Sequence, residues 1–239
     1  MFGRGSPGSR VLELPGVVAG VVPATPQRSL FNSIFYREPQ ALLAAWPELE
    51  RTYAADGVRA FTVWLRPSDT ALATELARLG HVLDGKVVGM AAELSELSLP
   101  AAGDLQWRVA SDCRVLGALN DASYTFALPA FGAAVQGFEG SSLPTGLRPY
   151  VASIEGRDVC CLCTHDEPDG VCGVSAVATL PDARGRGLAS RLLAVALREA
   201  ATRGLRHTAL VASSLGRGVY ARLGYRDVGA FEMWERRQK

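Results

Sequence analysis

A strand, an arginine- and glycine-rich turn and a long helix follow one another in the second half of the sequence, and this order constrains the fold most. The apolar run Val171–Thr179 predicts the strand, and apolar periodicity over residues 187–203 predicts the helix. The turn between them reads PDARGRG. Glycine permits tight turns and exposes the backbone, and a helix start carries unpaired N–H groups and roughly half a positive charge. The turn is therefore predicted to bind an anion, with Arg184 and Arg186 as donors at its rim; a solvated arginine-rich turn is the alternative.

The turn differs from two common phosphate-binding motifs. A P-loop would need a lysine followed by serine or threonine. A dinucleotide-binding fingerprint would need a third glycine and an acidic residue about 20 positions later. The sequence has neither, so the turn is predicted to hold its anion in another way.

The composition limits what else the chain can bind. The 239 residues carry a formal net charge of +1, so no overall field attracts nucleic acid or an anionic membrane. No apolar stretch reaches the roughly 20 residues of a membrane-spanning helix, and the polar N-terminus lacks a signal-peptide core, which predicts a cytoplasmic protein. Cys160 and Cys163 have C-x-x-C spacing, but in a strand they would point to opposite faces, so no metal site is predicted.

An internal repeat divides the chain. Residues 57–65 (GVRAFTVWL) resemble residues 204–212 (GLRHTALVA), and ARLGH at 77–81 resembles ARLGY at 221–225. A predicted helix precedes each copy, but the first helix starts after YREPQ, which has no glycine and so no means of binding the same anion. We expect a loose N-terminus over residues 1–15, a degenerate half over 16–98 with its early strands missing or reduced, a linker over 99–103 and a complete domain over 104–239.

The complete half alternates strands and helices. The strand-like runs Tyr150–Ile154, Asp158–Thr164 and Val171–Thr179 are separated by short polar turns, which predicts antiparallel hairpins. The predicted order is β-α-α-β-β-β-α-β-α-β. The fold class is therefore α/β, or α+β, with a mixed sheet and helices on its faces.

Two linked motifs in this half resemble those of the GNAT (Gcn5-related N-acetyltransferase) superfamily. The stretch TLPDARGRGLASRLL is similar to its pyrophosphate-binding motif, Q/R-x-x-G-x-G/A, and ALVASSLGRGVYARLGY is similar to its second motif. Ser213 stands where the family commonly has asparagine. The positions that match are Arg184, Gly187, Ala189, Tyr220, Leu223, Gly224 and Tyr225. The resemblance covers residues 105–237 and implies a tandem GNAT protein with a degenerate first half.

The resemblance implies a site for acetyl-CoA as co-substrate and a direct transfer of the acetyl group to a primary amine in a ternary complex. The strand before the turn would splay from its neighbour and pair with the pantetheine arm. Tyr220 would lie near the thioester sulfur and protonate the leaving thiolate, whereas Leu76 stands at its position in the first half. The residues implied to bind acetyl-CoA are Val177, Ala178, Thr179, Arg184, Gly185, Arg186, Gly187, Leu188, Ala189, Ser190, Ser213 and Ser214.

Several alternatives stay open. The general base is unassigned, since Asp166, Glu167 and Asp169 lie in a turn where solvated acids are expected. Tyr124, Phe126 and Phe131 would line the acceptor pocket or simply pack in the core. The donor is acetyl-CoA or a longer acyl-CoA, and the protein is a monomer or a homodimer. A non-catalytic acyl-CoA-binding sensor is the alternative function, and a scaffold without CoA is a third.

Overall fold

The computed structural model describes residues 5–124, 130–138 and 143–237. In chain order, its strands and α-helices are β1 (Arg10–Leu14), β2 (Val17–Val21), β3 (Ser33–Tyr36), α1 (Pro39–Ala55), β4 (Ala60–Leu65), α2 (Thr70–Arg78), β5 (Val82–Glu93), β6 (Gln106–Val109), α3 (Arg114–Ser123), α4 (Phe131–Val135), β7 (Leu147–Ile154), β8 (Arg157–Glu167), β9 (Val171–Thr179), α5 (Leu188–Thr202), β10 (His207–Ala212), α6 (Ser214–Leu223) and β11 (Arg226–Arg237). Short 3-10 turns cover Leu94–Glu96, Gln136–Phe138 and Pro181–Ala183.

The chain forms two compact units. The first contains residues 1–87, 133–137 and 230–239, and the second contains residues 88–132 and 138–229. The chain passes from one unit to the other within β5, at both ends of residues 133–137 and within β11, whereas the predicted linker over 99–103 lies inside the second unit.

The first unit is a mixed sheet with helix α1 packed on it. Its strands lie in the order β1-β2-β3-β4-β11, and β3 and β4 are parallel while the other pairs are antiparallel. A parallel pair needs a crossover, and α1 supplies it between β3 and β4. The buried side of α1 packs into the core through Leu42, Trp46, Leu49 and Tyr53.

The second unit is also a mixed sheet, with helices on both faces. Its strands lie in the order β5-β10-β9-β8-β7-β6, and only β9 and β10 are parallel. Six consecutive residues of β8, Val159–Thr164, are buried, so both faces of this strand are covered. Helices α3 and α5 both contact β8 and β9 and provide that cover. The predicted mixed α/β class and element order are therefore confirmed.

Each unit completes its sheet with a strand from the other half of the repeat. Residues 88–93 of β5, from the first half, pair with β10 in the second unit. Residues 232–237 of β11, from the second half, pair with β4 in the first unit. The two copies of the repeat have therefore exchanged their last strands.

The structure corrects the expectation for the N-terminus. Strand β1 occupies Arg10–Leu14, inside the segment predicted to be a loose terminus over residues 1–15. The strand is stabilised by pairing with β2 across five residues and by the ion pair of Arg10 with Asp56, whose nearest atoms are 2.5 Å apart. Both partners lie downstream in the sequence, which is why the polar, glycine-rich terminus gave no strand signal.

The early strands of the first half are reduced rather than missing. Strands β1, β2 and β3 have 5, 5 and 4 residues, whereas β7, β8 and β9, which precede the corresponding helix of the second half, have 8, 11 and 9. The parallel pair β3 and β4 repeats the parallel pair β9 and β10. The first half therefore keeps the sheet frame but lacks the long strand at which the site forms.

Candidate functional site

Strands β9 and β10 separate at the end that leads to the arginine- and glycine-rich turn. Their parallel pairing runs from Val171 opposite His207 to Val174 opposite Leu210 and then stops, although β9 continues to Thr179. The last residues of β9 thus have backbone groups that β10 does not pair. The strand opening implied by the resemblance is present in the second unit.

A β-bulge lies at the start of this opening. Cys161 faces Ala178 and Cys163 faces Ser175, so two residues of β9, Ala176 and Val177, stand opposite one residue of β8. Ala176 has a φ of 52°, in the left-handed region that favours glycine. No sequence signal marks this bulge, because an alanine in an apolar run is typical of a regular strand.

The bulge presents its carbonyl groups to helix α3. Asn120 donates from Nδ2 to the carbonyl oxygen of Ala176 at 3.2 Å, and the Tyr124 hydroxyl donates to that of Val177 at 2.7 Å. Asn120 is 1 % exposed, and its Oδ1 has no hydrogen-bond partner among the described residues. Sequence reasoning missed Asn120, whose partner lies 56 residues further along the chain.

The arginine- and glycine-rich turn leaves the start of α5 open. Gly185 and Gly187 have φ values of 76° and 71°, which glycine adopts without strain. Gly187 is the N-cap, and no side chain caps the helix or places an acidic group in its first turn. Within the part of the chain that the structure describes, the backbone N–H groups of residues 185–190 have no hydrogen-bond acceptor. These N–H groups and the helix dipole form a site that fits an anion.

The two arginines of the turn differ in their contacts. Arg184 donates from Nε to the carbonyl oxygen of Thr179 at 3.1 Å and from Nη2 to that of Ser123 at 2.7 Å. Its guanidinium therefore binds backbone carbonyls of β9 and α3, and its expected role as a donor at the rim of the anion site stays a prediction. Arg186 is exposed and lines a cavity of about 230 Å³ with Leu188 and Arg191, and its role at the rim of the anion site stays a prediction.

The other implied binding residues of the turn offer backbone rather than side chains. Leu188 is buried in the core, and Ala189 and Ser190 are half-buried in the first turn of α5. On β9, Ala178 is buried, and the Thr179 hydroxyl donates to Sγ of Cys160 at 3.2 Å. An anion or a pantetheine arm at this site would therefore be recognised mainly by main-chain groups.

Tyr220 interacts electrostatically with Tyr124 and Cys160, two residues that hydrogen-bond to the end of β9. Its side chain is 8 % exposed on α6, its ring contacts Gly216, and it meets the Tyr225 ring edge-on with 5.8 Å between centroids. Burial, with smaller contributions from Tyr124 and Cys160, raises the pKa of Tyr220 to about 12. In residues 5–124, 130–138 and 143–237, no hydrogen-bond partner of its hydroxyl is found. The hydroxyl is therefore protonated at neutral pH and available as a donor.

Tyr225 is excluded as an alternative donor by its contacts. Its hydroxyl shares a 2.9 Å hydrogen bond with the Thr208 hydroxyl, which donates to the carbonyl oxygen of Cys172 at 2.9 Å. The three residues linked by these hydrogen bonds are all buried. Tyr225 is thus a packing residue.

Ser213 and Ser214 lie where β10 ends and α6 begins. Ser213 is the N-cap of α6, and its hydroxyl accepts a hydrogen bond from the N–H of Gly216 at 3.2 Å. Asparagine and serine are equally good N-caps, so the replacement of the family's asparagine keeps this function. Ser214 is exposed in the first turn of α6.

Two of the three acidic residues considered as bases, Asp166 and Glu167, contact other side chains. Asp166 binds Arg148 and Arg203, with 2.8 Å between the nearest atoms of each pair. Burial alone would raise the pKa of Asp166, but Arg203 and Arg148 outweigh it and lower that pKa. Glu167 lies 2.9 Å from Nδ1 of His165. In the described part of the chain, neither carboxylate has a hydrogen bond or ion pair with Tyr220 or with the arginine- and glycine-rich turn.

The other predictions from the sequence concern three aromatic residues, the cysteines, a metal site and a membrane span. Tyr124 and Phe131 are placed near α3 and α4, but Phe126 lies outside the described residues. The five cysteines are buried thiols, and burial raises the pKa of Cys160 to about 11. The described residues contain no group of three or more His, Cys, Asp or Glu that could hold a metal ion. No helix in the described ranges is both long and apolar enough to cross a membrane.

Comparisons with known proteins agree with this geometry. Residues 146–227 match the family model described as acetyltransferase (GNAT) domain. No curated protein sequence matches the chain. A functionally unknown conserved protein from Staphylococcus epidermidis has a similar structure, with a TM-score of 0.72, 17% sequence identity and coverage of 95% of this chain and 93% of that one.

Two further structures extend the comparison. A GCN5-related N-acetyltransferase from Kribbella flavida gives a TM-score of 0.69 at 18% identity, covering 96% of this chain and 90% of that one. A tandem GNAT protein from the clavulanic acid biosynthesis pathway gives a TM-score of 0.60 at 15% sequence identity, covering 96% of this chain and 80% of that one. These similarities show the fold. Together with the domain match, they suggest acyl transfer from an acyl-CoA.

Proposed function

Residues 146–227 carry a GNAT acetyltransferase domain in a chain with the GNAT fold, and from this premise we propose that the protein is an N-acetyltransferase. It transfers the acetyl group of acetyl-CoA to a primary amine of a small molecule or peptide, by direct attack in a ternary complex. The observation that carries the proposal is the presence, in one unit, of an opened strand, a glycine turn without a side-chain cap and a tyrosine hydroxyl with no hydrogen-bond partner among the described residues.

Acetyl-CoA is held mainly by backbone groups in this proposal. The N–H groups of residues 185–190 and the α5 dipole bind the diphosphate, with Arg186 as a charged donor. The pantetheine arm lies along the edge of Val177–Thr179 that β10 does not cover, as an added strand lies along a sheet edge. Ser213 and Ser214 border the same opening from the start of α6.

The acyl transfer forms a C–N bond and breaks a C–S bond. The acceptor amine attacks the thioester carbonyl carbon, and a backbone N–H near the bulge stabilises the oxyanion. The carbon–sulfur bond then breaks, and Tyr220 gives its proton to the thiolate of coenzyme A. The raised pKa of Tyr220, about 12, keeps the phenol protonated until that step. The proton of the amine leaves to solvent, since no side chain is assigned as its base, and solvent returns a proton to Tyr220.

The first half contributes no second active site in this proposal. Leu76, at the position of Tyr220, is fully buried on α2 in the apolar core of the first unit. A leucine cannot donate a proton, and α1 starts at Pro39 without the glycine turn. The first half therefore has a structural role.

Substitution of Tyr220 tests the catalytic role against the alternative of a non-catalytic acyl-CoA sensor. Thiol release from acetyl-CoA is followed over a panel of amines, in parallel with thermal shifts on adding coenzyme A. Tyr220→Phe is expected to lower turnover about 100-fold or more while keeping the thermal shift. Tyr225→Phe is the matched control, because its hydroxyl is bound to Thr208, and it should keep turnover.

Two other outcomes of this experiment would favour the alternative functions. A thermal shift with no turnover on any amine would support the sensor. No thermal shift with the wild-type protein would remove both acyl-CoA functions and leave the scaffold.

A further inference from the structure

Side chains from two elements bind the backbone carbonyls at the open end of β9. Asn120 binds the carbonyl of Ala176 and Tyr124 that of Val177. Arg184 binds the carbonyl of Thr179 and, with the same guanidinium, that of Ser123 at the end of α3. Three of the last four carbonyls of β9 are thus tied to α3 or to the turn.

The open end of β9 needs such ties because it lacks a neighbour on one side. Beyond Val174, β10 no longer pairs with it. The left-handed conformation of Ala176 is also unfavourable for a residue with a Cβ and persists only where surrounding contacts enforce it. Asn120 binds the carbonyl of this strained residue. These contacts hold the end of β9 in place, as backbone hydrogen bonds to β10 would if the pairing continued.

We propose that Asn120, Tyr124 and Arg184 are positioning residues that hold the open end of β9 in the geometry that accepts the pantetheine arm. The proposal rests on the proposed function. It assigns Arg184 to the backbone of β9 and α3 instead of the diphosphate. Of the two turn arginines, Arg186 alone is then left to contact phosphate.

The shape of the arginine side chain explains why Arg184 suits this task. The planar guanidinium donates in fixed directions from Nε and Nη2, so one side chain can bridge two carbonyls. A lysine ammonium keeps the charge but lacks the fork. Arg184→Lys therefore removes the bridge between the two carbonyls but keeps the positive charge. Tyr124→Phe removes only the hydroxyl that binds the carbonyl of Val177.

The test compares two ligands by calorimetry on the full-length protein. Acetyl-CoA carries both diphosphate and pantetheine, whereas ADP carries adenosine and the diphosphate without a pantetheine arm. Arg184→Lys and Tyr124→Phe are each expected to weaken acetyl-CoA binding about tenfold and to change ADP binding less than about twofold. Arg186→Gln is the contrasting variant and should weaken both ligands in parallel.

Three results would overturn the proposal. Equal acetyl-CoA binding by wild type and both variants would show that the contacts position nothing. A parallel loss of ADP and acetyl-CoA binding in Arg184→Lys would return Arg184 to the diphosphate. Wild-type protein that binds no acetyl-CoA would overturn the proposed function itself, a result distinguishable from the first two. Melting temperatures identify a variant that misfolds. If Arg184→Lys misfolds, the binding data for Tyr124→Phe decide whether the proposal stands.

Discussion

At the residue scale, Ala176 combines an unfavourable backbone conformation with a central place in the candidate site. Glycine would adopt its φ of 52° without strain, although glycine also gains entropy in the unfolded chain. The strain is the larger effect, so Ala176→Gly is expected to raise the free energy of unfolding by about 0.5–1 kcal/mol. Urea denaturation measures this. Ala178→Gly, at a residue of the same strand without positive φ, is the control and should destabilise the protein.

The pKa of Tyr220 predicts how the rate depends on pH. An ordinary tyrosine loses its proton near pH 10, but burial raises this pKa to about 12. The donor therefore stays protonated up to about pH 11, and kcat should show no fall near pH 10. A decline near pH 10 that disappears in Tyr220→Phe would contradict the raised pKa but support the donor role, whereas unchanged turnover in Tyr220→Phe would contradict the donor role.

His81 makes the stability of the first unit depend on pH. Its ring is 3 % exposed against Trp46 and Phe61, and neither ring nitrogen has a hydrogen-bond partner in the described part of the chain. Burial first, and the charge of Arg236 second, lower its pKa from 6.5 to about 4. The folded state thus binds its proton more weakly than the unfolded state, so stability is full above about pH 6.5 and falls as the pH drops towards 4.

The size of this effect is measurable. Between pH 7 and pH 5, the free energy of unfolding should decrease by on the order of 2 kcal/mol because of His81. Denaturant titrations at both pH values test this on wild type and His81→Phe. The variant should lose that part of the pH dependence; an unchanged dependence would assign it to other groups.

At the element scale, the start of α6 depends on one hydroxyl. Ser213 caps this ten-residue helix through the N–H of Gly216, and the same helix carries Tyr220. Ser213→Ala is expected to cost about 1 kcal/mol of stability, whereas Ser213→Asn, which restores the family's common residue, should cost little. Thermal unfolding compares the three proteins. Equal losses in both variants would show that Ser213 has a role other than capping.

At the scale of the whole molecule, the exchange of last strands joins the two halves of the repeat into one folding problem. Residues 99–239 alone would lack residues 88–93, leaving the edge of β10 unpaired, and would leave β11 without β4. Exposed, unpaired strand edges favour aggregation. We therefore expect this fragment to aggregate or to unfold without cooperativity, and a fragment of residues 82–239, which restores β5, to be improved but less stable than the full chain.

Circular dichroism with thermal melting and size-exclusion chromatography test these fragments. A monomeric fragment of residues 99–239 with a cooperative transition would contradict the dependence on exchanged strands. It would also favour the predicted boundary of an independent domain at residue 104.

By itself, the sequence determined the features that depend on neighbouring residues. The run Val171–Thr179, the glycine turn and the periodic segment 187–203 specify a strand, an open turn and a helix, since propensity and periodicity are local. The repeat and the paired motifs predicted the mixed fold and the tandem organisation. The position of Tyr220 in its motif made it the candidate donor.

Only the tertiary structure decided which distant groups meet. The bulge at Ala176 follows from the register of β8 and β9 and from Asn120, 56 residues earlier, and Arg184 meets Ser123 across 61 residues. The exchange of β5 and β11 likewise depends on pairing between opposite ends of the sequence. Such contacts leave no local pattern, because their free energy comes from hydrogen bonds that form only once the sheets and helices have assembled.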